Sequence, residues 1–140
     1  MATDDDTSHA VIERFLASER RAAVDLSVEL AQLLAGALVG IIGELGFQSI
    51  LLRGVGRAAR AFPWLTYDPR TYSSDPEFEH LRLCLSVQDP AAVLAASRQL
   101  FKAFIDILVS LIGEHLTLVI LRSALSHAMT GKTAKEQHNG

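Results

Sequence analysis

The sequence predicts an all-α fold: a helical bundle of four to five helices built from two tandem repeats related by an approximate two-fold axis. Three observations carry this expectation. Residues 22–51 and 92–121 align without a gap at an offset of seventy and agree at ten of thirty positions: Ala22/Ala92, Ser27/Ser97, Leu30/Leu100, Leu38/Leu108, Val39/Val109, Ile42/Ile112, Gly43/Gly113, Glu44/Glu114, Ile50/Ile120 and Leu51/Leu121. Apolar residues share identities by composition alone, so the weight falls on Leu-Val-x-x-Ile-Gly-Glu, where an interior glycine and a carboxylate recur in register. Apolar residues also recur at three-to-four-residue spacing, with no strand-like alternation between hairpin turns. Finally, 49% of residues are hydrophobic but only 6% aromatic, so the core must be Leu, Ile, Val and Ala, which suits helix packing.

A chain of 140 residues makes one domain, large enough to bury a core of its own. The expected division is a disordered acidic tail at 1–7, a structured helical-bundle domain over 8–129 and a disordered polar tail at 130–140. Within the domain, the first repeat covers about 8–62, an aromatic linker 63–74 and the second repeat about 75–129.

Each element has a local rationale. Thr7 or Ser8 offers an N-cap, after which Val11, Phe15, Ala22, Leu26, Leu30, Leu33 and Leu34 form a stripe that Glu13, Arg14, Glu19, Arg20 and Arg21 avoid. That reads as one amphipathic helix becoming apolar all round near residue 33. Gly36, Gly40 and Gly43 follow at spacings of four and three. Each glycine costs a soluble helix up to about 1 kcal/mol, so the expectation is a close helix crossing at this point. The pattern resumes through Phe47, Ile50, Leu51, Val55, Ala58 and Phe62 until Pro63 stops it. A glutamate directly after an interior glycine suits a new helix start, and its recurrence suggests a shared kink at Gly43 and Gly113. Asp75-Pro76 reads as N-cap and first residue of a short helix carrying Phe78, Leu81, Cys84 and Leu85, and Asp89-Pro90 opens the second long copy in the same way.

The longest run free of charge, Leu30–Gly43, is fourteen residues, about 21 Å as a helix, where a span needs roughly twenty residues. No transmembrane segment is expected from it. The acidic opening MATDDD is unlike the basic start of a secretory signal. The single cysteine, Cys84, excludes an intrachain disulfide and is read as packing. These features predict a cytoplasmic protein. A net charge of −3 gives no bulk attraction to nucleic acid, which is not expected as a partner.

Catalytic motifs are missing. There is no Gly-x-Ser-x-Gly elbow, the glycines at 36–46 neither follow a strand nor precede a Lys-Ser/Thr, and Gly131-Lys132-Thr133 lacks the upstream half of a phosphate loop. Glu44 and Glu114 would face each other if the repeats are symmetric, and Glu77 and His80 supply one Glu-x-x-His; together they sketch half a di-metal site whose other half is absent. His115 is a further candidate for haem or metal, although its counterpart Leu45 is apolar. His9, His80, His127 and His138 are read as surface or tail residues. No cofactor is expected. Arg53, Arg57 and Arg60, at i, i+4 and i+7, line one helix face, meet Arg70 after the turn and make a candidate patch for an anion or an acidic partner. Phe62, Trp64, Tyr67 and Tyr72 combine apolar area with polar edges, as binding hot spots do, and capping one end of the bundle is the slightly stronger reading of them.

The expectation is a non-enzymatic regulatory or adaptor module, such as those of bacterial signalling, acting on a protein partner or by homodimerisation. Its interaction residues would be the four linker aromatics and Gly36, Gly40 and Gly43. The alternative is a helical sensor or carrier for a small ligand, haem or metal, anchored at Glu44, Glu114 or His115.

Overall fold

The computed structural model describes the backbone of residues 7–18 and 22–139, and side chains over 7–17 and 22–126. The acidic segment 1–6, Glu19, Arg20 and Arg21 lie outside the described residues. All regular structure among those described is helical: α1 Ser8–Ser18, α2 Ala23–Ala61, α3 Glu79–Ser86, α4 Pro90–Ile112 and α5 Glu114–Asn139, with a 3-10 turn at Pro69–Ser73.

α2 and α4 make the principal packing pair. α5 lies against both, α1 covers α4 and α5, and α3 with the 3-10 turn covers α2. The core is aliphatic where these helices cross, with Leu26, Leu30, Leu34, Leu38, Leu51, Ile105 and Leu108 sealed from solvent, and aromatic at one end, where the rings of Phe47, Phe78, Phe104 and Tyr67 are buried together.

α2 is two helices joined at a break. Gly43 has φ 82° and ψ 161° within otherwise helical backbone, and Gly113, between α4 and α5, has φ 90° and ψ 157°. Only glycine adopts this region without strain. At the second break the Gly113 amide still donates to Val109 O at 2.8 Å, closing α4, while its carbonyl accepts from the Thr117 amide at 3.1 Å, opening α5. The Thr117 hydroxyl reinforces the start by donating to the same carbonyl at 2.7 Å. One residue therefore ends one helix and begins the next, and the glutamate that follows sits in the first turn, where the helix dipole favours a carboxylate. The shared kink read from the sequence is present at both places.

Three expectations are corrected. The first stripe does not form one continuous helix: α1 and α2 are separate, and Ala22 has extended backbone, φ −55° and ψ 142°. The reason is tertiary, since α1 buries Val11, Ile12, Phe15 and Leu16 against α4 and α5. Asp75 caps α3 from further upstream than expected. Its carboxylate accepts from the amides of Glu79 at 3.0 Å and His80 at 2.9 Å, while Phe78 takes the N-cap position in left-handed backbone, φ 59° and ψ 37°, driven by burial of its ring in the aromatic core. Asp89, by contrast, caps α4 as the sequence implies, accepting from the Ala91 amide at 3.2 Å with Pro90 first in the helix.

The third correction concerns the glycines. Gly36 and Gly40 face open space, with no neighbouring atom within 4 Å of where a Cβ would lie, so they mark no crossing among the described residues. The close approach is at Gly54, where a Cβ would come within 3.1 Å of the Leu100 carbonyl oxygen on α4. The backbone of 130–139 continues α5, consistent with the helix-forming run Ala134-Lys135-Glu136-Gln137.

α2 is also long and apolar enough, by length and composition, to cross a membrane. In this fold it is the central core helix, broken at Gly43.

Candidate interaction surface

The residues singled out from the sequence fall into separate places. In the linker, Tyr67 is 5% exposed, and its ring packs on Phe78 at a centroid distance of 6.1 Å. Tyr72 stacks at 5.4 Å on both Phe47 and Phe78. These two tyrosines pack into the aromatic end of the bundle, Tyr67 buried and Tyr72 half-buried. Phe62 and Trp64 pack edge to face at 5.9 Å and are half-buried, and the Trp64 carbonyl accepts from Cys84 Sγ at 3.4 Å. The cysteine packs against the linker.

The Tyr67 hydroxyl is buried without a hydrogen-bond partner among the described residues. The Thr71 side chain beside it donates its hydroxyl to Asp68 O at 2.7 Å. Burial pushes the Tyr67 pKa up to about 12, with Thr71 pulling weakly downward and Asp75 and Asp68 adding to the rise. The folded protein therefore holds this proton at pH values where the unfolded chain, at the ordinary value of 10, has lost it. The associated stability is complete below pH about 10 and is lost as the pH rises towards about 12. Tyr67→Phe is expected to raise stability at neutral pH by about 1 kcal/mol, since it removes an unsatisfied buried donor, and to flatten the alkaline fall. Urea titrations at pH 7 and at several points from 9 to 11 check both; a Phe variant less stable at pH 7 would show that the hydroxyl is satisfied.

Glu44 and Glu114 engage different partners. Glu44 Oε1 accepts from the Ser73 hydroxyl at 2.6 Å, which in turn accepts from Gln48 Nε2 at 3.2 Å, tying the 3-10 turn to the kink. Glu114 accepts from the Ser8 amide at 2.8 Å and the Ser8 hydroxyl at 3.2 Å. It thereby satisfies the free amide at the start of α1, whose own cap is the Thr7 hydroxyl, accepting from the Ala10 amide at 3.1 Å. His9 Nε2 and Asp106 Oδ1, 2.7 Å apart, fasten the same end of α1 to α4. Glu77 accepts from Gln32 at its carbonyl, 3.0 Å, and at its carboxylate, 3.3 Å. His115 is exposed. No group of three or more His, Cys, Asp or Glu able to hold a metal comes together among the described residues, so the sketched carboxylate and histidine site is not assembled. The reason is that each glutamate serves a different neighbouring segment.

Apolar residues around the kinks face solvent. Ile41 is 56% exposed, Leu45 78% and Leu111 62%, and Leu116, Val119 and Leu52 are each exposed. Ile41 and Leu111 are seventy positions apart, each two residues before a kink glycine. Between α2 and α5 runs an open groove of about 520 Å³ whose walls include Gly36, Ala37 and Ile41 on one side and Val119, Ile120 and Ala124 on the other. The sequence reading named Gly36 for this region but missed Ile41, Leu45 and Val119, which look like core residues when judged by helical spacing alone. The one available signal was the recurrence of a large apolar residue directly before each kink.

Arg53, Arg57 and Arg60 lie exposed on the second half of α2, as expected. Arg70 does not join them: it is held by Asp68, with Nε to Oδ1 at 3.0 Å and Nη2 to Oδ2 at 3.0 Å. No protein-family model matches the chain, and no curated protein or solved structure matches it.

Proposed function

We propose that the chain is a tandem duplication of a unit made of a short helix followed by a kinked pair of long ones, and that it works without enzymatic chemistry, as an adaptor that self-associates through the face around the α2–α5 groove. Two observations support the duplication. Ser27 Oγ and Ser97 Oγ, at equivalent repeat positions, meet at 2.6 Å in the core, as equivalent residues do on a two-fold axis, and the equivalent glycines Gly43 and Gly113 share one unusual backbone conformation. Because the Ser27 hydroxyl donates to Ala23 O at 2.7 Å, the proton between the serines comes from Ser97.

The observation that carries the self-association reading is the groove itself. A soluble monomer gains nothing from an apolar trough walled by residues as exposed as Ile41 and Val119; burying them removes apolar area from water. Gly36 and Gly40 give a facing helix room for close approach there. A volume of about 520 Å³ is also within the range of small-ligand sites, and mass measurement separates the two readings.

Native mass spectrometry with sedimentation velocity over a concentration series is the test. The protein is expected to form a dimer of unmodified mass, and Ile41→Asp, at an exposed position, is expected to weaken dimerisation by about tenfold or more without changing helix content. A wild-type chain that stays monomeric at the highest concentration would sink this reading, and bound additional mass would favour the ligand reading.

A further inference from the structure

We infer that the second half of α2 carries a separate docking face, and that its partner is an acidic amphipathic helix of another protein. This goes beyond self-association and does not depend on it. The residues exposed between the Gly43 kink and the end of α2 include Leu45, Ser49, Leu52, Arg53, Gly56, Arg57 and Arg60. At about 100° per residue, they fall into three adjacent bands. Arg53, Arg57 and Arg60 lie within an arc of about 60°; Ser49 and Gly56 lie beside them; Leu45 and Leu52 form the far edge. A Cβ at Gly56 would meet nothing within 4 Å, so the small-residue band is an open floor between a basic edge and an apolar one.

Among the described residues no carboxylate answers the charge on that basic edge. Arg70, Arg82 and Arg98 each pair with a carboxylate, of Asp68, Asp25 and Glu13 respectively. Arg53, Arg57 and Arg60 make no ion pair among the described residues. Like charges four residues apart oppose helix formation, so an array of three is a standing electrostatic cost that an anionic partner relieves. Arginine forks pair most strongly with carboxylates, two hydrogen bonds at a time.

The bands select the partner class. A helix laid along the Ser49–Gly56 floor, with Asp or Glu at i, i+4 and i+7 on one edge and Leu or Ile on the other, meets the arginines and the leucines together. Nucleic acid would satisfy the arginines alone and leave Leu45 and Leu52 against phosphate and sugar. A chain of net charge −3 with one narrow basic band also lacks the broad positive field such binding uses.

The probe is a fluorescein-labelled designed helical peptide bearing Glu at i, i+4 and i+7 beside a Leu band, titrated with the full-length protein and followed by anisotropy. A control peptide has the three Glu replaced by Gln. Arg57 is exposed, so Arg57→Glu is expected to leave the thermal unfolding curve in place. The Glu peptide is expected to bind in a salt-sensitive manner, with affinity reduced about tenfold or more by Arg57→Glu and by the Gln replacement, and reduced by Leu52→Glu. Ile41→Asp, in the groove, is expected to leave peptide binding unchanged whatever it does to oligomeric state, which separates failure here from failure of the self-association reading. Absence of binding, equal binding of the Gln peptide or indifference to Arg57→Glu would overturn the inference. So would displacement of the peptide by phosphatidylserine vesicles that bind the wild type and not Arg57→Glu, an outcome assigning the face to a membrane.

Discussion

Replacing both kink glycines, Gly43→Ala with Gly113→Ala, is expected to remove about 2–6 kcal/mol of stability. Each glycine occupies a region of positive φ with ψ near 160° that costs a residue with a Cβ about 1–3 kcal/mol. There is open space at both sites, so the cost is one of backbone conformation and not of packing. Substitutions that share no partner add, and a total of this size is a large part of the roughly 5–15 kcal/mol that holds a typical domain together. Gly36→Ala and Gly40→Ala are the controls: they lie in regular helix facing open space and are expected to stabilise by up to about 1 kcal/mol each. Thermal and urea unfolding of the four single variants and the double variant measure this. Equal effects at all four positions would show that the kinks are not conformationally required.

Phe47→Ala is expected to cost about 3–5 kcal/mol, the range for emptying a buried phenylalanine site. Phe47 is completely buried and touches three aromatic rings from three other segments: Tyr72 of the 3-10 turn at 5.4 Å, Phe78 before α3 at 6.4 Å and Phe104 of α4 at 5.9 Å. Its loss leaves a cavity where the linker is anchored, so the near-ultraviolet signal of the tyrosines should collapse while the helical signal in the far ultraviolet persists. Phe47→Leu, which keeps most of the volume, is expected to recover the greater part of the stability. A cost below about 1 kcal/mol for the alanine variant would mean that the linker, and not Phe47, organises this end of the bundle.

Much of the helix pattern was legible in the chain because local chemistry specifies it. Asp89-Pro90 starts α4 where an aspartate cap and an N-terminal proline belong. Pro63 follows directly on the end of α2 at Phe62. The Gly-Glu pairs mark both kinks, since a residue that alone tolerates positive φ and a carboxylate suited to a helix start leave a readable signature. What was misread depended on neighbours distant in sequence. Gly36, Gly40 and Gly54 are the same residue type in the same helix, yet only Gly54 meets another backbone, because α4 crosses there. Ile41 and Leu45 continue an apolar pattern whose other members are buried, and no spacing rule marks where α5 stops short of covering them. Tyr67 and Tyr72 resemble hot-spot residues until Phe47 and Phe78 are seen to enclose them.

By itself, then, the sequence determined that the chain is helical, where most helices begin and end, and that two glycines interrupt them, since capping, φ preference and apolar periodicity act over a few residues. Tertiary structure alone decided which faces are covered, that Glu114 binds α1 and Glu44 the linker turn in place of each other, and that an apolar groove and an exposed arginine face remain among the described residues. Those outcomes depend on packing between helices distant along the chain, and short-range spacing carries no record of which helix comes to rest on which.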